Sequence, residues 1–316
     1  MNEIIKRDDL APAGAAGLGF AELVRRFLAS LDRRESSKST YARALKQFGR
    51  WIETVPPAGP LTRENVLDYK RALIGRKLSP FTVNCYLTAV KRFFAWSEGA
   101  GLYPDIAKGI EPMRRGHNFR KDAFTPAQAR ELLNAVKVRT VKGKRDFAII
   151  NLMMRTGLRT IEIRRADVGD IANRGDQTVL YIQGKGRDEK SEFVLLTPAT
   201  LAPIKSYLKT RDAFAQDAPL FAAISNRNRN GRMTTRSVSR LAKTAINRIA
   251  PGNNRLTAHS LRHSAVTFAL LGGATVQEAQ AFARHSDINT TLIYAHNIDR
   301  IGAAPEKKIA ALMRAS

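Results

Sequence analysis

The sequence predicts a mainly α-helical protein with a small β-sheet, an α+β fold divided between two domains. The chain has 316 residues, and a single hydrophobic core usually stops growing at roughly 250 residues. Hydrophobic residues make up 44% of the chain, which is enough for packed cores and too many for a disordered protein. Apolar residues recur at spacings of three and four through most of the chain. One stretch, QTVLYIQGKGRDEKSEFVLL, instead predicts two strands around a turn that contains glycine.

The charge of the chain predicts its partner. Lysine and arginine number 53 against 28 acidic residues, a formal net charge of +25. Nucleic acid phosphates are the commonest partner for such an excess, and a polybasic membrane surface is the alternative. No apolar run approaches the roughly 20 residues of a spanning helix, and the N-terminus lacks a signal-peptide pattern. We therefore expect a cytoplasmic, nucleoid-associated protein without membrane contact.

The first domain is predicted to be helical. Residues 1–18 lack an apolar period and are expected to form a flexible leader. Helical spacing then appears in FAELVRRFLASL, SKSTYARALKQFGRWIE, LTRENVLDYKRALI and SPFTVNCYLTAVKRFFAWSEGAGL. Basic residues punctuate all of these helices, so a DNA-binding domain is predicted over residues 19–113. The candidate phosphate contacts on these helices are Lys38, Arg43, Lys91 and Arg92.

A basic segment joins the two predicted domains. The stretch MRRGHNFRKDAF has no apolar period and predicts an interdomain linker over residues 114–124. Arg114 and Arg115 in this linker are further candidates for phosphate contacts.

The second domain begins with a strong helix signal, Thr125 followed by Pro126. The segment KRDFAIINLMMRTG is apolar on most sides, which predicts a buried helix that ends at Gly157. Further helices are predicted in LTPATLAPIKSYLKTRDAF, LTAHSLRHSAVTFALLGG and TVQEAQAFARHSD, and in a segment that becomes helical near Thr235. The candidate DNA contacts in that last segment are Arg236 and Arg240.

Four segments of the second domain contain polar groups suited to phosphoryl transfer: TGLRTIEI, GKGRDEK, HSLRH and ARHSDINTTLIYAH. Taken one at a time they are weak signals, since a lone H-x-x-R is common. Taken in chain order they form a specific set. The members of this set are Arg159, Glu162, Lys185, His259, Arg262, His285 and Tyr294.

The order and spacing of this set resemble the tyrosine recombinases, also called the phage integrase family, whose simplest members include the Xer recombinases. The resemblance covers the chain from about residue 125 to the end and the helical domain before it. It implies a SAM-like core-binding domain over residues 19–113 and a tyrosine-recombinase catalytic domain over residues 125–297. It also implies that a tail over residues 298–316 is exchanged between protomers.

The resemblance implies a role for each member of the set. Arg159 matches the first catalytic arginine, and Lys185 matches the lysine of the β-hairpin turn. His259 and Arg262 match the H-x-x-R pair. Tyr294 matches the nucleophile. His285 matches a position that is held by His or Trp in the family, and Glu162 matches a supporting acidic residue.

The chemistry of strand exchange needs these residue types. When a tyrosine oxygen attacks phosphorus, it releases a 5′-hydroxyl and forms a 3′-phosphotyrosine. This covalent bond conserves the energy of the phosphodiester until the DNA strands are rejoined, with a Holliday junction as the intermediate of strand exchange. Two guanidinium groups can stabilise the non-bridging oxygens. Lys185 suits the general acid, although Arg187 and Lys190 occupy the same hairpin and leave its register open. His259 is expected to help move the tyrosine proton, whereas His263 is interpreted as structural.

The sequence departs from the family at one position before the tyrosine. The family often has Leu-Gly-His-Ser there, whereas this chain has ARHSD. Arg284 thus replaces the glycine, and we expect it to add a phosphate contact or a surface charge. In the tail, Ile309, Leu312 and Met313 have helical spacing, which predicts docking on a neighbouring protomer.

The expected partners follow from the resemblance. They are double-stranded DNA with a short inverted-repeat core site and three further copies of the chain, in a homo-tetramer on two duplexes. The need for an accessory or activator protein stays open. No cofactor is expected, and no metal either, because the chain has a single cysteine and the ordered set contains only one carboxylate, that of Glu162.

Two alternative functions remain at this point. A type IB topoisomerase-like enzyme shares the phosphotyrosine chemistry. A non-catalytic, basic DNA-binding regulator would explain the charge and the helices but not the ordered set. The sequence leaves the biological role open between chromosome dimer resolution, integration and excision of a mobile element, and inversion.

Overall fold

The computed structural model describes residues 19–114, 122–184, 187–211 and 214–302, together with Ile309, Leu312 and Met313. The chain divides into two compact units, residues 1–118 and 119–316. The predicted α+β fold is confirmed, because both units are helical and the second also contains a small antiparallel sheet. The predicted leader, Arg115 with most of the linker, and Lys185 lie outside the described residues.

Helices make up the described part of the first unit. They are α1 (Phe20–Ser30), α2 (Glu35–Thr54), α3 (Arg63–Gly75) and α4 (Pro80–Gly99). Their buried faces form one aromatic core, in which Phe48 contacts Tyr69 edge to face with ring centroids 4.9 Å apart. Ser79 caps α4, since its hydroxyl accepts a hydrogen bond from the backbone N–H of Thr82 at 3.1 Å.

The predicted DNA contacts of this unit differ in exposure. The side chains of Arg43, Arg92 and Arg114 are exposed, while Lys38 and Lys91 are half-buried. The ammonium group of Lys91 donates to a backbone carbonyl, that of Ile110, at 2.9 Å. Lys91 therefore has a structural hydrogen bond as well as a position near the surface.

The second unit begins with three helices, α5 (Pro126–Ala135), α6 (Val141–Thr156) and α7 (Thr160–Arg165). Thr125 caps α5 as the sequence predicts, accepting from the backbone N–H of Gln128 at 3.2 Å. The apolar helix α6 lies in the middle of the core, packed by α8 (Pro198–Leu208) and α10 (Ala258–Leu271). This arrangement confirms the prediction of a buried helix.

The small sheet contains one strand that the sequence analysis missed. Strands β1 (Ile171–Arg174), β2 (Gln177–Ile182) and β3 (Glu192–Leu195) pair antiparallel in that order. The two predicted strands correspond to β2 and β3. Strand β1 has only four residues, none of them fully buried. A strand this short and exposed has too little apolar alternation to be read from sequence.

The rest of the second unit is helical, with α9 (Thr235–Ile249), α11 (Val276–Ala283) and α12 (Asn289–Gly302) beside α8 and α10. Helix α9 buries an apolar face and leaves Arg236 and Arg240 exposed. Helix α10 packs against both α11 and α12, and these two helices also pack against each other. Within the part of the chain that the structure describes, no helix is long and apolar enough to cross a membrane.

We predict that Gly157→Ala will destabilise the second unit more than Gly175→Ala. Both glycines have positive φ, 63° and 61°, so alanine at either position costs about 1 kcal/mol of backbone strain. A Cβ on Gly157 would also lie 3.3 Å from the ring of Phe282, whereas a Cβ on Gly175 meets nothing within 4 Å. Urea denaturation should show a loss of roughly 2 kcal/mol for Gly157→Ala and about half as much for the control. Equal losses would contradict the close packing at Gly157.

Candidate active site

A tight turn after α6 carries the first predicted arginine. Gly157 ends α6 in the left-handed conformation, and the side chain of Leu158 is fully buried next to it. Arg159 then precedes the first residue of α7 with extended backbone. The side chain of Arg159 is 25% exposed. The turn thus anchors the backbone of Arg159 while its guanidinium remains accessible.

The carboxylate of Glu162 fixes the position of Arg159. It is fully buried in the first turn of α7. Its oxygens accept hydrogen bonds from the backbone N–H of Arg159 at 2.7 Å and from Nη1 of the same residue at 2.9 Å. Nη2 of Arg284 donates to it as well, at 3.2 Å. Because an unpaired buried carboxylate is costly, these donors are what make the site stable.

The second predicted arginine, Arg262, is buried in α10 and only 2% exposed. Its Nη1 donates to the carbonyl oxygen of Gly157 at 2.5 Å, and its Nη2 donates to the carbonyl oxygen of Ala283. Burial, together with repulsion from Arg159 and Arg284, lowers the pKa of Arg262 to about 9. The guanidinium therefore still carries its charge at neutral pH.

Arg284 is not the surface charge that was one of the two expectations for it. Its side chain is 8% exposed, although it is among the residues that line the cavity shared by Arg159 and His285. It turns inward, because the residue ends α11 in the left-handed conformation with φ 54°. The only signal of this burial in the sequence is the replacement of a glycine.

The predicted nucleophile lies beside two histidines. Tyr294 is 5% exposed, and its hydroxyl forms a hydrogen bond with Nδ1 of His263. The ring of His285 stacks on Tyr294 with centroids 6.2 Å apart. Nδ1 of His285 also meets the hydroxyl of Thr291 at 2.9 Å, which orients the imidazole. The hydroxyl of Tyr294 is therefore buried and engaged by His263 in this structure.

Burial sets the protonation of these groups. It raises the pKa of Tyr294 to about 12, although the positive charges of Arg262 and Arg159 lower that pKa in part. Burial first, and neighbouring charged and imidazole groups second, lower the pKa of His263 to about 3 and that of His285 to about 4. Both imidazoles are therefore neutral at pH 7, and each can accept as well as donate a hydrogen bond.

His263 has a contact that the sequence analysis did not expect. The rings of His259 and His263 meet edge to face with centroids 4.4 Å apart, because a spacing of four places both on one side of α10. His259 is exposed, whereas His263 is buried against Tyr294. The four-residue spacing in HSLRH was the available signal. Thr291, which holds His285, had no comparable signal.

Two cations of the hairpin between β2 and β3, Arg187 and Lys190, form ion pairs with acidic side chains. Nζ of Lys190 lies 2.6 Å from carboxylate oxygens of both Asp167 and Asp170. The guanidinium of Arg187 lies 3.4 Å from the carboxylate of Glu192. These two cations therefore have acidic partners within the protein, whereas Lys185 lies outside the described residues.

Two cavities open beside Arg159. One, of about 830 Å³, is lined by side chains that include Arg187, Gln280 and His285. The other, of about 600 Å³, is lined by residues that include Lys243 and His259. Arg159 thus stands between two open spaces, each with a predicted histidine in its wall. Among the residues that the structure describes, no cluster of His, Cys, Asp or Glu has the arrangement of a metal site.

The structure therefore brings together most of the predicted set. Glu162 binds both Arg159 and Arg284, and Arg284 in turn shares the carbonyl oxygen of Gly157 with Arg262. His285 stacks on Tyr294, whose pKa is lowered in part by the charges of Arg262 and Arg159. His259 joins them through its contact with His263.

Comparison with known proteins identifies relatives over most of the chain. The family model described as the phage integrase family matches residues 122–300. A tyrosine recombinase of Synechocystis sp. is 26% identical over 277 residues, 84% of this chain and 87% of the relative. The tyrosine recombinase XerD of Caulobacter vibrioides is 30% identical over 238 residues, 74% of this chain and 76% of the relative.

Solved structures share the fold at low identity. The XerH site-specific recombinase, bound to palindromic difH substrate after cleavage, has a TM-score of 0.71 at 17% identity. That match covers 91% of this chain and 85% of the other. The Tn1549 transposon integrase, in complex with circular intermediate DNA, has a TM-score of 0.68 at 16% identity, over 87% and 94% of the two chains.

We predict that Glu162→Gln will destabilise the protein by about 3 kcal/mol, because it leaves three neighbouring guanidinium groups without their buried counter-charge. The control is Glu64→Gln, which breaks an ion pair with Arg71 whose two side chains are more than half exposed. That exposed pair should contribute less than about 1 kcal/mol. Urea denaturation of both variants measures the difference. Losses of similar size would contradict a stabilising role for the buried carboxylate.

Proposed function

Because this chain belongs to the phage integrase family, we propose that it is a site-specific tyrosine recombinase, which cuts and rejoins DNA through a 3′-phosphotyrosine. One observation links the proposed activity to particular residues. Arg159 and Arg262, from distant parts of the sequence, share a site with Tyr294, and their charges lower the pKa of its hydroxyl. Two guanidinium groups beside one tyrosine are what phosphotyrosine chemistry requires.

We propose the following division of roles. The Tyr294 oxygen attacks phosphorus, the bond from phosphorus to the 5′-oxygen breaks, and the tyrosine loses its proton. Arg159 and Arg262 stabilise the negative charge on the non-bridging oxygens. Glu162 positions Arg159, a role supported by the hydrogen bonds of 2.7 and 2.9 Å that Arg159 donates to its carboxylate.

Proton transfers complete the step. The leaving 5′-oxygen takes a proton, for which we propose Lys185 on the hairpin between β2 and β3. The tyrosine proton needs an acceptor, for which we propose the exposed His259. His263 is a poor acceptor because its pKa of about 3 lies far below that of the phenol. His285, with Nδ1 engaged by Thr291, offers its Nε2 to a non-bridging oxygen.

DNA is the proposed substrate, with a short inverted-repeat core site. The charge of +25 supports this proposal. The similar structures of XerH, bound to its difH substrate, and of the Tn1549 integrase, in complex with DNA, support it as well. The phosphate contacts that we propose on α2, α4, α9 and the linker are those whose side chains the structure leaves exposed. They are Arg43, Arg92, Arg114, Arg236 and Arg240. The half-buried Lys38 and Lys91, and Arg115, remain weaker candidates.

Assembly is a further part of the proposal. We infer a homo-tetramer on two duplexes, in which each tail docks on a neighbouring protomer. Ile309, Leu312 and Met313 support this, since their side chains are 54%, 74% and 76% exposed and would gain from burial. An accessory protein and a nucleoid-associated, cytoplasmic location remain predictions from the sequence.

We predict that Tyr294→Phe will abolish covalent attachment to DNA, because phenylalanine has no oxygen to attack phosphorus. Wild type and variant are incubated with fragmented genomic DNA from the source organism in chelator, denatured, and the attached DNA is sequenced. The control Tyr181→Phe changes a half-buried tyrosine of β2 and should leave the adducts intact. Adducts that persist in Tyr294→Phe would remove Tyr294 as nucleophile. Wild-type adducts scattered over many sequences would favour topoisomerase-like activity.

We predict that deleting the chain after Asn297 will preserve DNA binding but impair synapsis, because the deletion removes the apolar tail and none of the proposed catalytic residues. Binding is measured by fluorescence anisotropy, and assembly on DNA by analytical ultracentrifugation. The matched control is the full chain with Leu312→Asp and Met313→Asp, which keeps the tail but removes its apolar face. A truncated protein that still forms tetramers and recombines normally would contradict the proposed exchange.

A further inference from the structure

Arg284 has a backbone conformation that side chains seldom adopt. It ends α11 with φ 54° and ψ 47°, in the left-handed region that favours glycine. An arginine at this position has a strained backbone, and its charged side chain is largely removed from solvent. Interactions made by the guanidinium must offset both costs.

The side chain of Arg284 contacts the groups that hold the two proposed catalytic arginines. Its Nη2 donates to the carboxylate of Glu162 at 3.2 Å, the same group that binds Arg159. The same nitrogen lies 3.3 Å from the carbonyl oxygen of Gly157, which also accepts from Arg262. Arg284 therefore shares one acceptor with each of the two arginines.

The backbone of Arg284 adds a direct contact. Its carbonyl oxygen accepts a hydrogen bond from Nη2 of Arg159 at 3.3 Å. Nη1 of Arg284 donates to the carbonyl oxygen of Phe282 at 2.8 Å, which closes the end of α11 over the guanidinium. The residue thus joins the α11 turn to the turn that carries Arg159.

The hydrogen-bond donors of Arg284 are engaged within the protein. Its Nη atoms donate to the acceptors already named, and its Nε is buried without an acceptor among the described residues. Although the side chain also lines the cavity beside Arg159, these contacts join Arg284 to the groups that hold the two proposed catalytic arginines.

We propose that Arg284 is a positioning residue for phosphoryl transfer. It holds Glu162 and Gly157 from the side of α11, and thereby fixes Arg159 and Arg262 relative to each other. It also adds a third positive charge beside a single carboxylate. The effect on phosphoryl transfer rests on the proposed function. The position of Arg284 between the two arginines rests on its contacts alone.

Three variants separate this role from simple packing. Arg284→Met keeps the length of the side chain and removes the charge. Arg284→Lys keeps a charge that can pair with Glu162 but loses the paired carbonyl contacts. Arg284→Gly removes the side chain and relieves the backbone strain, so it folds even if the methionine variant does not.

The catalytic readout is the yield of protein–DNA adduct on fragmented genomic DNA, compared with affinity for a random-sequence duplex. We expect Arg284→Met and Arg284→Gly to lower adduct yield at least about tenfold, since a small displacement of positioned groups has large effects on rate. Affinity for the random duplex should stay within about twofold of wild type, because the side chain of Arg284 is only 8% exposed, whereas non-specific affinity comes from exposed cations. Arg284→Lys should recover most of the yield. Equal yields in the methionine variant and wild type, or equal losses in the methionine and lysine variants, would overturn the proposal.

A second readout needs no DNA. The imidazole of His285 is surrounded by Arg159, Arg262, Arg284 and His259, stacks on Tyr294 and contacts the hydroxyl of Thr291. In an NMR titration, the pKa of His285 should shift upward from about 4 in Arg284→Met, because one repelling charge is gone, and should stay near wild type in Arg284→Lys. An unchanged pKa in both variants would overturn the placement of Arg284. Wild type without any adduct would count against the proposed function, while the titration would still decide the position of Arg284.

Discussion

The buried guanidinium of Arg262 is the interaction on which the rest of the site depends. Its hydrogen bonds to the carbonyl oxygens of Gly157 and Ala283 tie α10 to two turns that are far away in sequence. One turn carries Arg159, and the other leads to His285 and Tyr294. A charged group buried without such acceptors would destabilise the fold, so the folded state and the assembled site require the same contacts.

A second constraint is the imbalance of charge. Three guanidinium groups surround one carboxylate, that of Glu162, so the site carries excess positive charge within a partly buried environment. The low pKa of His285 reflects burial first and this charge second, and that of His263 reflects burial first, then His259 and Arg262. A bound DNA phosphate would supply the missing negative charge. Its arrival would also favour protonation of the neighbouring imidazoles, which couples substrate binding to proton transfer.

The sequence was sufficient where local signals decide the structure. Capping residues such as Thr125 and the apolar faces of the long helices predicted the elements, and the ordered polar set predicted which segments would meet. It was insufficient where tertiary contacts decide. Strand β1 is too short to show alternation, and the burial of Arg284 depends on acceptors from other turns. The contact between His263 and Tyr294 joins residues 31 positions apart, which spacing within α10 alone does not reveal.

The most direct test of this account is the identification of the residue that becomes attached to DNA. Wild-type protein is trapped on fragmented genomic DNA in chelator, digested with nuclease and trypsin, and analysed by mass spectrometry. The tryptic peptide from His285 to Arg300 contains a single tyrosine, Tyr294. The account predicts a nucleotide on that tyrosine, linked through a 3′-phosphate. A nucleotide on any other residue, or a 5′-phosphate linkage, would contradict it.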